Sequence, residues 1–262
     1  MTCKSYRIVI ALVLALCIIA PALAATSDQA ASPAVITLNY SKITADNPGV
    51  YVNGSTLIIT LPGEYLLKGT LTNGQIIVDC EQTGKVRLYL NGVSVHCSNG
   101  PALLVKACSP RLTIELVEGT VNTLSDGTVY ADKTGKIDGA SYSKSDMTIT
   151  GAGTLNVKGN YWDGIVSKDD LRFKGGKVNV EAVHNGIMGK DCVEIYDGEI
   201  IVKAGKDGIK TSNEEAGLGY ISMEGGVVSI TCGDDPLVVV NALNITGGTI
   251  NAVINPSLNT TD

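Results

Sequence analysis

WDGIVSKDDLRFKGGKVNVEAVHNGIMGKDCVEIYDGEIIVKAGKDGIK, residues 162–210, repeats one phrase three times. Asp163-Gly164-Ile165, Asn185-Gly186-Ile187 and Asp207-Gly208-Ile209 recur at one fixed step. The strand-like runs keep the same step or stay close to it: GTLNV at 153–157, GKVNV at 176–180, GEIIV at 198–202, GVVSI at 226–230 and GTINA at 248–252. A fixed period in the twenties means stacked units, none of which can bury its apolar side alone. Leu155, Val178, Ile200, Val228 and Ile250 then form one inward column. Val157, Val180, Val202, Ile230 and Ala252 form a second, and Ile165, Ile187 and Ile209 a third. A slip of one residue would turn each of these outward, so the register is strongly specified.

The pattern predicts an all-β chain folded as a right-handed parallel β-helix, a solenoid with rungs of about 22 residues, in preference to a β-sandwich of hairpins. Parallel crossovers are almost always right-handed. Helical apolar spacing is absent, and 30 glycines punctuate short β-branched runs. Rungs are irregular to about residue 137 and regular over 138–252. SKSDMTI at 143–149 aligns with SKDDLRF at 167–173 and, more loosely, with GKDCVEI at 189–195. One domain over 26–262 is expected.

Residues 1–25 read as a signal peptide. Lys4 and Arg7 precede an apolar run from Ile8 to Ala20, and Ala22-Leu23-Ala24 offers a small-x-small cleavage site. The run is shorter than the roughly 20 residues of a spanning helix, and no later stretch is long and apolar enough to cross a bilayer. The expected location is secreted, extracellular or cell-surface. A net charge of −6 argues against nucleic acid and anionic membranes as partners. Five cysteines follow residue 25, with no CxxC spacing to suggest zinc. They are expected to be mostly buried small hydrophobes, with an 80–97 or 97–108 bridge open.

Two polar columns flank the predicted core. The first is Asp163, Asn185, Asp207 and then Asp234 or Asp235; the second is Asp169, Asp191 and Asn213, with Asp170 adjacent. Asx-Gly is a favoured turn dipeptide, which accounts for the first column but not the second. Carboxylates one rung apart repel by roughly 1 kcal/mol in water and roughly 3–4 kcal/mol at an effective dielectric of 20. Amides or a cation must relieve that cost. Oxygen-only ligands of this kind suit calcium. Tyr161 and Trp162 offer a stacking face for sugar rings, and Lys168, Lys190 and Lys210 offer cations for uronate groups.

The run of phrases resembles the secreted carbohydrate-binding domain-containing proteins. It is carried by GEYLLKGTLTNGQIIVD (63–79), VRLYLNGVSV (86–95), LTIELVEGTVNTLSDG (112–127), DGASYSKSDMTITGAGTLNV (138–157), WDGIVSKDDLRFKGGKVNV (162–180) and KDGIKTSN (206–213). The resemblance implies a calcium-binding right-handed β-helix akin to polysaccharide lyases. It implies binding of plant-type polysaccharide, including acidic pectic polymers, without established catalysis. It carries calcium-ligand roles onto Asp163, Asp169, Asp170, Asp191 and Asp207. Val166 and Met188 stand where the family turn has Lys, Asn185 where it has Asp, and Pro236 where it has Gly. Fewer calcium sites and a weaker basic strip are expected in consequence.

The leading expectation is therefore a non-catalytic polysaccharide-binding module. The alternatives are a calcium-dependent lyase, with Lys168, Lys190 or Lys210 as base, and a structural surface or adhesion element.

Overall fold

The computed structural model describes residues 32–134 and 136–259; the expected signal peptide lies outside them. Among the described residues the chain is all-β apart from one short 3-10 turn, Pro256–Leu258. It is a β-solenoid of about eight turns, with parallel bridges about 24 residues apart on average. The strands form a 14-stranded sheet and a 9-stranded sheet.

One rung shows how the sequence makes the coil. Asp163–Ser167 lies in the smaller sheet. The chain turns at Lys168-Asp169 and runs along Asp170–Ala182 in the larger sheet. That strand bends at Gly175-Gly176, both at positive φ. The next rungs bend at Gly198 (φ +111°) and Gly226 (φ +80°). A Cβ at Gly226 would lie 2.6 Å from the Gly198 carbonyl oxygen, so the corner column excludes any side chain. Past the corner the chain turns again and begins the next rung at Ile187–Gly189.

The expected columns pair in register. Leu155 meets Val178, Val178 meets Ile200, Ile200 meets Val228 and Val228 meets Ile250. Ile165, Ile187 and Ile209 pair in the smaller sheet. Core members such as Ile165, Phe173, Val178 and Ile187 are wholly buried. Each such side chain contributes roughly 1.5–3 kcal/mol through burial. The strict step of the regular half holds only where no turn is lengthened. In the smaller sheet Thr56 pairs with Gln75 across a short rung, whereas Leu103 pairs with Ser141 across a long one. In the larger sheet Cys192 pairs with Tyr220 across a lengthened turn.

The five cysteines of the described residues are buried and free. The 80–97 and 97–108 bridges left open by the sequence do not form. Cys80 instead stands in register with Cys108 one rung on, and burial pushes the Cys108 thiol up to about 12.

The two ends of the coil differ. At the first, Lys42–Ala45 folds back antiparallel on Ala34–Tyr40, pairing Leu38 with Ile43, and Val50–Asn53 folds back on Thr56–Ile59. Ile36, Leu38 and Ile43 are buried there. At the other, the strands Leu237–Val238, Ala242–Ile245 and Thr249–Ile254 form the last rung among the described residues.

Phe173 fills the centre of a rung at 0% exposure. Phe173→Ala is expected to lower unfolding free energy by roughly 3–5 kcal/mol, read by urea denaturation. A loss smaller than about 1 kcal/mol would show that the stack collapses around the gap.

Candidate functional site

The acids converge where the chain passes from the smaller sheet to the larger. Serine side chains shape that turn. Ser143 Oγ donates to Ser145 O (2.6 Å) and accepts from Ser145 N (3.1 Å). In the next rung Ser167 Oγ accepts from Asp169 N (3.3 Å) and lies within reach of Asp170 O (3.1 Å). Each hydroxyl replaces a backbone partner and holds the following residues outward.

Asp146, Asp169 and Asp170 each bring a carboxylate oxygen to within 4.8 Å of the other two. Asp146 Oδ1 also accepts from Asp170 N (3.3 Å). Arg172, from the following strand, donates to Asp146, Asp170 and Glu194. It is only 15% exposed, so these pairs lie partly out of water. Asp170 Oδ1 accepts from Cys192 Sγ at 3.1 Å. Asp191 stands one rung beyond Asp169 and accepts from Asn213 Nδ2 at 2.6 Å. Lys190 Nζ lies 3.7 Å from Asp191.

Arg172 neutralises one side of the cluster, and among the described residues no Lys or Arg pairs with Asp169. Burial, then Asp146, Asp191 and Asp170, push the Asp169 carboxyl up to about 6. The oxygens of Asp146, Asp169, Asp170 and Asp191 are hard donors stacked at rung spacing, a set that fits a divalent hard cation.

The first polar column does different work. Asp163, Asn185 and Asp207 are buried, and each cross-rung bond ties one turn to the next. Asp163 Oδ1 accepts from Asn185 N (2.9 Å) and bonds His184 Nδ1 (2.8 Å). Asn185 Oδ1 accepts from Asp207 N (3.4 Å), and Asp207 Oδ2 accepts from Lys210 Nζ (2.9 Å). Asp126 serves the preceding turn, accepting from Asn160 N and from the Tyr130 hydroxyl. Asp234 and Asp235 are exposed. The two columns are six residues apart along the chain and sit at opposite ends of the smaller sheet's strands, which span roughly 15 Å over the five residues of Asp163–Ser167.

The aromatic candidates belong to the first edge. Tyr161 stacks on Tyr130, with ring centroids 4.2 Å apart. Trp162 stacks on His184 at 4.2 Å and stays 40% exposed. The His184 ring beneath it is held in turn by Asp163 through Nδ1. The lysines are all paired: Lys168 with Asp138 (3.4 Å), Lys190 with Asp191, and Lys210 with Asp207. Lys168 also lies 5.4 Å above the Tyr142 ring.

Asp146 and Arg172 were not among the candidates read from the sequence. The signal was present, since SKSDMTI over SKDDLRF places Asp146 directly above Asp170. Arg172 lies inside a strand, where only the register shows that it faces three acids from three rungs.

Coil and acid-lined turn together define a polysaccharide-lyase-like β-solenoid. The chain belongs to the family described as carbohydrate-binding domain-containing protein, whose model matches residues 53–261. A curated relative of that description, from Acetivibrio thermocellus, is 33% identical over 217 residues, covering 81% of this chain and 76% of the relative. The solved polysaccharide lyase-like protein from C. thermocellum, a gadolinium derivative, superposes with a TM-score of 0.76 at 33% identity, over 85% of this chain and 96% of that one.

The raised Asp169 value fixes the sign of a pH effect. Between 3.8 and about 6 the folded chain holds the proton more readily than the unfolded chain. Ionisation therefore costs stability as pH rises through about 6, and the cost is absent below 3.8. In chelator, Asp169→Asn is expected to melt at the same temperature as the parent at the acid end and higher at neutral pH. A lower neutral melting temperature for the variant would refute the strain.

Proposed function

We propose that the protein is an extracellular, calcium-binding, non-catalytic polysaccharide-binding β-helix that takes acidic, pectic or plant-type glycans. The observation that carries this reading is the cluster of Asp146, Asp169 and Asp170 at a half-exposed turn, with a single guanidinium against it. Family membership supplies the carbohydrate partner. Calcium would be held by Asp146, Asp169, Asp170 and Asp191, with the Asn213 amide beside them. Bound there, it would offset the mutual repulsion of the acids and present positive charge to a uronate carboxylate. That answers how a chain of net charge −6 takes an acidic polymer. Trp162, backed by the His184 ring, would stack on a sugar ring at the other edge of the sheet.

The non-catalytic part rests on the lysines. β-Elimination needs a neutral base beside the uronate. Lys168, Lys190 and Lys210 are each engaged by a carboxylate of this chain, so none stands free to serve as that base. The export leader read at residues 1–25 supports the extracellular location.

Affinity electrophoresis in gels containing polygalacturonate tests the reading. Calcium should retard the parent, chelator should release it, and the double variant D169A/D191A should run freely in both. Equal mobility of parent and variant with calcium would overturn the assignment, and unsaturated product would replace it with a lyase.

A further inference from the structure

A basic groove on the outer face of the larger sheet has no part in the site described above. It has a volume of about 390 Å³ and lies over the strands Leu112–Leu116 and Met147–Gly151. Arg87, Arg111 and Lys174 bring three cations to it. An adjoining hollow of about 160 Å³ shares Arg87 and Arg111 and adds Lys85. The chain as a whole carries a net charge of −6, so this patch runs against its field.

Most of these cations are uncommitted. Arg87 is taken by Glu115, which also lines the groove, and by Glu64. Among the described residues no acid pairs with Lys85, Arg111 or Lys174. Lys174 lies over the Tyr196 ring, 4.8 Å from its centroid. The register explains where Arg111 stands. Val86 pairs with Leu112, Leu112 with Met147 and Met147 with Leu171. The residues just before them, Lys85, Arg111, Asp146 and Asp170, therefore form one column at the turn, and its sign changes between Arg111 and Asp146. Asp146 is taken by Arg172, and Arg111 lines both hollows instead.

A second observation points to a ligand. Thr148 lines the larger groove at 5% exposure, and its Oγ1 is buried without a hydrogen-bond partner. Buried hydroxyls are nearly always paired, and leaving one unpaired is costly. An oxygen-rich ligand in the groove would supply the partner.

We infer that this groove is a carboxylate subsite for the acidic glycan, distinct from the calcium cluster and occupied by the same polymer. The identity of the ligand rests on the polysaccharide reading above. The Arg111 guanidinium offers paired donors that match a carboxylate, and Lys174 adds a mobile point charge. From Lys85 to Asp170 the column climbs three rungs, roughly 14 Å at ordinary strand spacing. A glycan laid along it would set one carboxylate on calcium and another in the groove. Cations at a solvated surface hold a carboxylate weakly, so calcium remains the anchor and the groove adds affinity to it.

Calorimetric titration of tetragalacturonate into the calcium-loaded protein tests this. The parent is expected to bind, and R111Q/K174Q to bind roughly tenfold more weakly. Both should take up calcium alone equally well. K106Q/K203Q removes the same charge from elsewhere on the surface and should bind as the parent does. Thr148→Val keeps the shape and loses the unpaired hydroxyl, so it should melt higher than the parent without glycan and bind glycan more weakly. It also stands in should R111Q/K174Q misfold. Parental affinity in folded R111Q/K174Q or in Thr148→Val, or an equal loss in K106Q/K203Q, would overturn the subsite and leave the polysaccharide reading in place. A parent that takes up calcium but no tetragalacturonate would overturn both.

Discussion

The molecule depends on one constraint: no rung can bury its own interior. A single turn of this chain would leave Ile165, Phe173, Val178 and Val180 in water, and only a neighbour in register covers them. Stacking in turn forces every feature of a rung into a column. Glycine corners stack on glycine corners because a Cβ would strike the carbonyl below. Turn acids stack on turn acids whether or not their charges agree. The acidic cluster is thus a by-product of the register that the fold tolerates through Arg172, Asn213 and Cys192.

The exposed strand faces resolve the same problem differently. Lys177 bonds Glu199 and Glu181 bonds Lys203, each pair spanning one rung. Opposite signs alternate there, so the face is self-satisfied, though such exposed pairs are worth only about 0–1 kcal/mol each. At the turn of Asp146, Asp169 and Asp170 the signs do not alternate. That contrast between a balanced face and an unbalanced edge marks the candidate site better than the number of acids does.

The regular half of the coil was legible because aliphatic columns at a fixed step have one physical explanation. Leu155, Val178 and Ile200 declare themselves. The chain before Asp138 was less legible, since rungs of unequal length erase the step while keeping the pairing. The two acid columns looked alike in sequence but differ in burial. Asp163 and Asp207 point at the backbone or side chain of a turn they brace, and Asp169 points at other carboxylates. Residue type and spacing are the same in both; only the direction of the side chain separates a cap from a candidate ligand. Stacking of Trp162 on His184, one rung on, was implicit in the period but needed the turn geometry to become visible.

The stretch Asn213–Gly219 lengthens one turn, and Tyr220 then pairs with Cys192 as though nothing had intervened. Glu214, Glu215, Ala216 and Gly217 all lie in solvent. The coil thus separates scaffold from ornament: a turn at this edge can grow while the columns keep step. Foreign peptides inserted between Glu215 and Gly217 would be displayed beside the acidic edge at a fixed height along the stack. The same latitude gives descendants of this chain a place to vary recognition one loop at a time without renegotiating the core.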